Sequence, residues 1–284
     1  YEKLETTIFE SVKRHLISDA PIGIQLSGGI DSSILAWYVN KIKGNNIKSF
    51  SIKFLDSKFD ESEEAAQTAK KFNFEHHSIS FSVTDFIEIW PKAIKFFDEP
   101  INHPHTLPLF KLYQVAKNHV KVLLSGEGAD EAFLGYEHHK KILSMTDYKD
   151  LRNFSKFVDF DLIKEYLNLE LIGNTNDYWG NKTESAKYWI SKGSTGISGY
   201  EFHHHLNTLL NRIDKMSMAH SVEVRTPFLD NELVEFGLKQ NIDTLFKFSQ
   251  NNNTKRKIPL MQIHKKLFGV DLSDKGKIGF HVPF

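Results

Sequence analysis

The stretch Ser27-Gly-Gly-Ile-Asp-Ser-Ser33 connects a short apolar run at residues 22–26 to a longer apolar run that begins at Ile34. The first run has the length of a strand and the second the length of a helix, so the stretch is predicted to be a strand-to-helix loop. Two adjacent glycines let the backbone turn tightly, and successive N–H groups then point into one concavity. Because the positive end of the following helix faces the same point, the loop predicts a phosphate site.

Three side chains of this loop support the same interpretation. Ser32 and Ser33 add hydroxyl donors, and Asp31 suits an anion site only if a divalent cation such as Mg²⁺ bridges the two. A plain turn whose serines cap a helix is the alternative. Two other nucleotide motifs fail, because no Lys follows the glycines and because Glu131 replaces the third Gly of a G-x-G-x-x-G that begins at Gly126.

Alternating strands and helices extend from this loop over residues 22–125. Besides the first run, strands are predicted at residues 47–54, 76–81 and 120–124, with helical segments between them. This alternation is typical of an α/β fold, a parallel twisted sheet with flanking helices.

The pattern changes to helical spacing after about residue 140. The length of 284 residues allows one large domain or two smaller ones. We therefore predict a phosphate-binding α/β core over residues 1–140 and a helical lobe over residues 141–284 that completes the site.

A second glycine loop, Ser125-Gly-Glu-Gly-Ala-Asp-Glu131, also ends a predicted strand and opens a helix. Its carboxylates, Glu127, Asp130 and Glu131, would only repel one another on an ordinary surface turn. Ligands of open α/β sheets bind outside the carboxyl ends of the strands, where the strand order reverses. If the first and fourth strands are neighbours, the two loops face one another and the carboxylates become ligands for a metal or a substrate.

The composition excludes several classes of function. The chain has 36 Lys and Arg against 36 Asp and Glu, and it has no cysteine. Without cysteine there is no disulfide framework, Cys-bound metal or thiol nucleophile within these residues. The balanced charge disfavours a nucleic-acid partner, and no apolar run approaches the ~18 residues of a membrane span. We expect no nucleic-acid partner, no membrane and a cytoplasmic location.

Further motifs lie between the two loops and after them. They are Phe59-Asp-Glu61, Phe97-Asp-Glu-Pro100, Ser221-Val-Glu-Val-Arg-Thr-Pro-Phe-Leu-Asp230 and Lys277-Ile-Gly-Phe280. With these motifs the chain resembles, over nearly its whole length, the synthetase domain of the asparagine synthetase family, a group of PP-loop ATP pyrophosphatases. The resemblance implies an adenine nucleotide alpha hydrolase-like fold, with ATP and Mg²⁺ as cofactors.

The resemblance also implies roles for individual residues. Asp31 and Asp130 correspond to the Mg²⁺ ligands, Glu127 to an acidic residue of the aminating centre, and Tyr136 to a substrate-facing tyrosine. Lys277 corresponds to the cation that meets the reacting α-phosphate. Arg225 corresponds to a lobe-stabilising or substrate-side group. The implied ATP-binding residues are Leu26, Ser27, Gly28, Gly29, Asp31, Ser32, Ser33, Ile52, Ser125 and Gly126.

The activity implied by the resemblance is that of an ATP-dependent amide-forming ligase. Such an enzyme adenylates a carboxylate, by default L-aspartate, releases pyrophosphate and transfers ammonia. Leu134 replaces a Gly of the family pattern and leaves other acceptors open, such as those of β-lactam, lasso-peptide or polysaccharide sugar amidation. Relatives that hydrolyse glutamine carry an N-terminal glutaminase domain. The nitrogen source stays open between such a domain or subunit outside this chain, free ammonia and a substrate amine. A tRNA-modifying PP-loop enzyme and a non-catalytic nucleotide-binding module are the alternatives of another class.

Two other conspicuous segments receive a structural interpretation. Two histidine clusters stand out, His103-Pro-His105 and His203-His-His205. We find no carboxylate or Cys at metal-ligand spacing from either cluster, so no His-bound metal is expected. The basic run Lys255-Arg-Lys257 is predicted to be the solvent-exposed start of a helix. The alternative is that these residues lie near the bound phosphates.

Overall fold

Five parallel strands form the centre of the fold. They are β1 Ile22–Gln25, β2 Lys48–Phe54, β3 Glu75–Phe81, β4 Val122–Leu124 and β5 Glu223–Arg225, and their order in the sheet is β3-β2-β1-β4-β5. Each neighbouring pair is parallel. The structure is a computed structural model, and it describes residues 2–55, 60–101, 103–144, 175–192, 194–247 and 254–270.

Helices connect these strands and follow the last of them. Up to β5 they are α1 Glu2–His15, α2 Ile30–Lys43, α3 Ser62–Lys71, α4 Val83–Phe97, α5 Thr106–Ala116, α6 Ala129–Phe133, α7 His138–Ser144, α8 Thr175–Ile190, α9 Ser194–Glu201 and α10 Asn207–Met218. After β5 come a 3₁₀ turn at Pro227–Leu229 and the helices α11 Asn231–Leu238, α12 Ile242–Leu245 and α13 Ile258–Phe268. None of the helices in the described ranges combines the length and the apolar character needed to cross a bilayer.

Two hydrophobic cores lie on opposite faces of the sheet. Strand β4 shows why, because successive side chains of a strand point to opposite faces. Val122 and Leu124 belong to the core that also contains residues of α1, α2, α6 and α13. Leu123 belongs to the other core, together with residues of α4, α5 and α10. Both faces of the sheet are therefore covered, as a parallel sheet requires.

The predicted parallel sheet with flanking helices is confirmed. Each of the four predicted strands is present within about two residues of its expected position. The prediction of an entirely helical region after about residue 140 is wrong at β5, which is a strand. Its three residues are too few to show a period-2 pattern, and its place at the sheet edge is set by pairing with β4. The division at residue 140 stays a prediction.

Helix α2 begins directly at the first glycine loop. Gly29 is its N-cap residue with extended backbone angles, and Asp31 lies in its first turn. The helix ends at Gly44, whose φ of 72° is in the left-handed region that glycine adopts at little cost. Its buried face, which includes Leu35 and Val39, packs into the first core and fixes the position of the loop.

Helix α11 packs closely on α6, the short helix that follows the second glycine loop. A Cβ atom at Gly237 of α11 would overlap the carbonyl oxygen of Ala132 in α6. This close packing of α11 against α6 helps to fix the position of the second glycine loop, residues 125–131.

We expect Gly237→Ala to destabilise the chain by roughly 1–3 kcal/mol, because the added methyl group forces the two helices apart. Urea unfolding followed by circular dichroism measures the loss. Gly180→Ala in α8 is the matched control, since its Cβ would meet no described atom within 4 Å. The control should be neutral or slightly stabilising. Equal stability of the two variants would contradict the close packing.

Candidate functional site

The two glycine loops lie side by side at the carboxyl edge of the sheet. We call residues 26–33 the glycine loop and residues 125–131 the acidic loop. Strands β1 and β4 are paired in parallel, with Ile24 opposite Leu124, so the expected pairing of the first and fourth strands is confirmed. The loops themselves touch, because a Cβ at Gly126 would lie 3.2 Å from the backbone nitrogen of Ser32.

Serine side chains hold the glycine loop in shape. The hydroxyls of Ser32 and Ser33 donate to the carbonyl oxygen of Gly29 at 3.1 and 2.9 Å. Gly28 has a φ of 75°, and a Cβ there would lie 2.8 Å from the backbone oxygen of Glu61. Both the turn and the close approach therefore require glycine at position 28.

An open cleft lies next to the glycine loop. It has an empty volume of about 360 Å³, including its open mouth. Three of the residues expected to bind ATP line it together, namely Leu26, Ser27 and Ile52. A mostly apolar cleft with a few polar groups suits a flat heterocycle. The other lining residues are Gln25, Ser51, Phe54, Glu61 and Leu112.

A buried lysine bridges the two loops. Lys257 Nζ lies 2.5 Å from Asp31 Oδ2 and 2.8 Å from Asp130 Oδ1, and the lysine side chain is only 8% exposed. Burial alone would lower the pKa of Lys257, but the charges of Asp130 and Asp31 outweigh it and raise that pKa above its ordinary value. The lysine is therefore a permanent cation between two carboxylates.

The backbone around Lys257 brings its side chain to this point. Lys257 is the N-cap residue of α13 and has a left-handed conformation with φ 46°. Gly135 leaves the necessary space, since a Cβ there would overlap both Lys257 Cε and Asp130 Oδ1. The expectation of a solvated helix start is wrong for Lys257, which takes the alternative place beside the loop predicted to bind phosphates.

The two aspartates fit the Mg²⁺ that the resemblance implies. Asp31 Oδ2 and Asp130 Oδ1 converge on one position, that of the Lys257 ammonium group. Mg²⁺ in nucleotide sites is held by one or two carboxylates together with phosphate oxygens. This donor set, next to a predicted phosphate loop, has the required chemistry.

A buried arginine faces the acidic loop. The NH2 group of Arg212 in α10 lies 3.6 Å from Glu127 Oε1, and the arginine side chain is 9% exposed. Its NH1 group lies 3.4 Å from His103 Nδ1. Its Nε–H finds no hydrogen-bond partner within the described part of the chain. A buried guanidinium with an unused N–H is suited to bind a carboxylate, and no sequence motif had indicated Arg212.

Tyr136 is bonded to a buried carboxyl group of the acidic loop. Its hydroxyl donates to Glu131 Oε1 at 2.5 Å. Burial, with the charges of Asp130 and Glu127, raises the pKa of Glu131 to about 8. Burial and Glu131 also raise the pKa of Tyr136 well above its ordinary value, so the tyrosine remains a hydrogen-bond donor.

The structure places the predicted site residues Ser125 and Arg225 in different surroundings, and it does not describe Lys277. Ser125 Oγ accepts from the backbone N–H of Glu127 at 3.4 Å and so belongs to the acidic loop. Arg225 NH1 donates to the carbonyl oxygens of His15 and Ile17 at 2.8 and 2.7 Å. These are the contacts of a lobe-stabilising residue, and they give no support to a substrate-side role. Lys277 lies outside the described residues.

The interpretation of the histidine run 203–205 needs a correction. Glu201 lies four residues before His205, and its Oε2 is 3.1 Å from His205 Nδ1. The run therefore does have a carboxylate at metal-ligand spacing, which an i, i+4 search of the sequence would have found.

A family profile described as asparagine synthase matches residues 3–284. The chain belongs to this family. The curated asparagine synthetase [glutamine-hydrolyzing] 1 of Bacillus subtilis is 30% identical over 325 aligned positions, which cover 99% of this chain and 49% of that protein. Asparagine synthetase [glutamine-hydrolyzing] 3 of the same organism is 29% identical, over 80% of this chain and 40% of that protein. The chain spans about half the length of the curated relatives it matches.

Solved structures of two other enzymes show a distant likeness. The U34-tRNA thiolase NcsA from Methanococcus maripaludis is 16% identical, with a TM-score of 0.40 over 74% of this chain and 80% of that one. An NH3-dependent NAD synthetase from Campylobacter jejuni is 19% identical, with a TM-score of 0.34 over 48% of this chain and 60% of that one.

We expect Lys257→Met to lower the free energy of unfolding by roughly 3–5 kcal/mol, because it leaves two largely buried carboxylates without their cation. Millimolar Mg²⁺ should restore part of this loss, since the same oxygens then bind the metal. Urea unfolding with and without Mg²⁺ measures both effects. Lys255→Met changes an exposed lysine two residues earlier and serves as the control. If both variants unfold at the same urea concentration, Lys257 does not hold the loops together.

Proposed function

We propose that this chain is the synthetase part of an ATP-dependent amide-forming ligase. The observation that supports this most strongly is the convergence of Asp31 and Asp130, from two glycine loops, on a single cation position. The adjoining cleft supplies a place for adenine. Membership of the asparagine synthase family supports the same class of reaction.

The proposed reaction has two steps. A carboxylate is a poor electrophile because its leaving group would be oxide. One carboxylate oxygen first attacks the α-phosphorus of ATP, and the bond from that phosphorus to the bridging oxygen breaks, which releases pyrophosphate and leaves an acyl-adenylate. The nitrogen of ammonia then attacks the acyl carbon, AMP leaves, and the nitrogen loses a proton to give the amide.

The first step needs the two anions to be positioned and their charge to be neutralised. Leu26 and Ile52 would contact the adenine, and the backbone N–H groups of the glycine loop would face the departing pyrophosphate. Lys257 would supply a positive charge to the polyphosphate once it has left its position between the two aspartates. Mg²⁺ held by Asp31 and Asp130 would supply further neutralisation of the polyphosphate. Lys277 stays a proposal as the cation at the α-phosphate.

The second step uses the other side of the acidic loop. Arg212 would hold the acceptor carboxylate through its buried guanidinium. Glu127, 3.6 Å from Arg212, lies where it can take the proton from the attacking nitrogen. Tyr136 would face the acceptor, with its hydroxyl fixed by Glu131. The two steps therefore share one acidic loop, which carries Asp130 toward the nucleotide and Glu127 toward the acceptor.

L-aspartate is the proposed acceptor. Leu134, which had left other acceptors open, keeps the left-handed conformation at φ 56° and is fully buried in the first core. Its side chain therefore packs among apolar residues of the fold. We also propose that ammonia reaches this site from a glutaminase domain or subunit, since the curated relatives are named glutamine-hydrolyzing and are about twice as long.

A screen for pyrophosphate release tests the proposal. The chain is incubated with ATP, Mg²⁺ and ammonium, and the acceptors are L-aspartate, a uronic acid, a carboxylate-bearing peptide and tRNA. We expect release that depends on L-aspartate. Dependence on the uronic acid or the peptide would retain the chemistry and change the acceptor. Release with tRNA alone, or no release at all, would contradict the proposal.

Asp31→Ala should reduce ATP–pyrophosphate exchange by roughly 10²–10³-fold, since one preorganised charge in such a site contributes about 3–4 kcal/mol. Lys277→Ala is expected to have the same effect. The control is Asp243→Ala, which removes an exposed aspartate in the first turn of α12. Near-native exchange in the Asp31 variant would show that this carboxylate has no role at the polyphosphate.

Arg212→Gln should raise the KM for the acceptor by roughly 10–100-fold and leave the KM for ATP unchanged, because a hydrogen bond to a charged group contributes about 1.5–3 kcal/mol. Initial rates of AMP formation measure both constants. Lys215→Gln, on the same helix but in a surface ion pair with Asp98, is the control. An unchanged KM for the acceptor, or an equal rise in both constants, would assign Arg212 a different role.

A further inference from the structure

A buried carboxylate lies at the centre of three imidazoles beside the acidic loop. Glu201, the last residue of α9, is 2% exposed. Its Oε1 atom lies 2.7 Å from His138 Nε2 and 3.3 Å from His139 Nε2, and its Oε2 atom lies 3.1 Å from His205 Nδ1. We call these four residues the Glu201 cluster.

The three imidazoles of the Glu201 cluster surround the ring of Tyr136. His138 stacks on it, with ring centroids 4.9 Å apart and an interplanar angle of 14°. His139 and His205 meet it edge-on, with centroids 5.4 and 5.3 Å away. One carboxylate therefore orients three rings, and these rings together determine where the tyrosine lies.

The Glu201 cluster has the composition of a metal site, since two imidazoles and a carboxylate place their ligand atoms within 4.8 Å of one another. The tautomer of His139 argues against that interpretation. The backbone N–H of Tyr136 donates to His139 Nδ1 at 3.3 Å, so Nδ1 carries the lone pair. The ring proton is then on Nε2, which lies 3.3 Å from Glu201 Oε1 and has no lone pair for a metal.

The charges of the Glu201 cluster agree with a hydrogen-bonded carboxylate. Burial raises the pKa of Glu201, but hydrogen bonds from His138, His139 and His205 outweigh it and hold that pKa well below its ordinary value. Burial lowers the pKa of His205, yet the bond to Glu201 leaves it raised. A buried carboxylate with such partners is costly to disrupt, because removing it leaves the donors unpaired.

The Glu201 cluster joins the helical part of the chain to the acidic loop. Glu201 directly precedes a π-helical turn, Phe202–Leu206, which carries His205. Turns of this kind are rare and occur often at functional sites. On the other side, the Tyr136 hydroxyl bonds to Glu131, the neighbour of Asp130 in the acidic loop. A continuous series of contacts thus runs from α9 to the proposed site.

We infer that Glu201 is a positioning residue, which acts through three imidazoles to hold Tyr136 against Glu131 on the acceptor side of the site. The inference rests on the proposed function. A tyrosine that moves by about 1 Å no longer presents its hydroxyl correctly, and misplacement of this size can cost up to 10²-fold in rate.

Glu201→Gln tests this role, because glutamine keeps the shape and removes the charge that orders the imidazoles. We expect kcat/KM for the acceptor to fall by roughly 10–100-fold, with the KM for ATP unchanged. Tyr136→Phe should cause a similar loss of kcat/KM. The double variant should lose no more kcat/KM than the more impaired of the two single variants, because both changes act on the same hydroxyl. Losses that add in the double variant, or equal changes in both KM values, would overturn the inference.

A second measurement needs no acceptor and separates this inference from the proposed function. Hydrogen exchange should be faster at residues 134–139 in Glu201→Gln than in Glu184→Gln, a control that changes a 72% exposed glutamate in α8. Unchanged exchange there would overturn the positioning role even if the enzyme proves active. Stoichiometric zinc in the purified chain that is lost in Glu201→Gln would also overturn it, in favour of a metal site. If no acceptor supports turnover, the proposed function fails and the exchange result alone decides.

Discussion

The ammonium group of Lys257 holds together two loops that would otherwise repel each other. Asp31 and Asp130 each bring a negative charge to the same buried position, and neither charge is tolerable there without a cation. Lys257 is also the N-cap residue of the last described helix, 226 positions after Asp31. The contacts that fix the start of this helix against the two loops are therefore the contacts that assemble the candidate site.

Sheet topology determines why these particular loops meet. In the order β3-β2-β1-β4-β5, strands β2 and β3 lie on one side of β1, and strands β4 and β5 lie on the other. The strand order therefore reverses between β1 and β4. At such a point a crevice opens outside the carboxyl ends of the two strands, and ligands bind there. The glycine loop and the acidic loop are the loops that follow β1 and β4.

Local signals in the sequence were enough to predict the sheet and both loops, because a glycine turn between a strand and a helix is encoded within a few residues. Arg212 has no such signal, and for Lys257 a place near the phosphates was only the alternative interpretation. The partners of both residues are distant in sequence, and only the folded chain brings them together. Strand β5 was missed because three residues show no periodicity. Glu201 and His205 are different, since their i, i+4 spacing was visible in the sequence and had been overlooked.

A crystal structure of this chain with Mg²⁺ and a non-hydrolysable ATP analogue tests the central claim most directly. The account predicts one metal ion bonded to both Asp31 and Asp130 at about 2.0–2.1 Å, with the triphosphate against the glycine loop. Lys257 should then have moved from the carboxylates to a phosphate oxygen. A nucleotide bound elsewhere, or Lys257 still between the two aspartates with the triphosphate in place, would contradict the account.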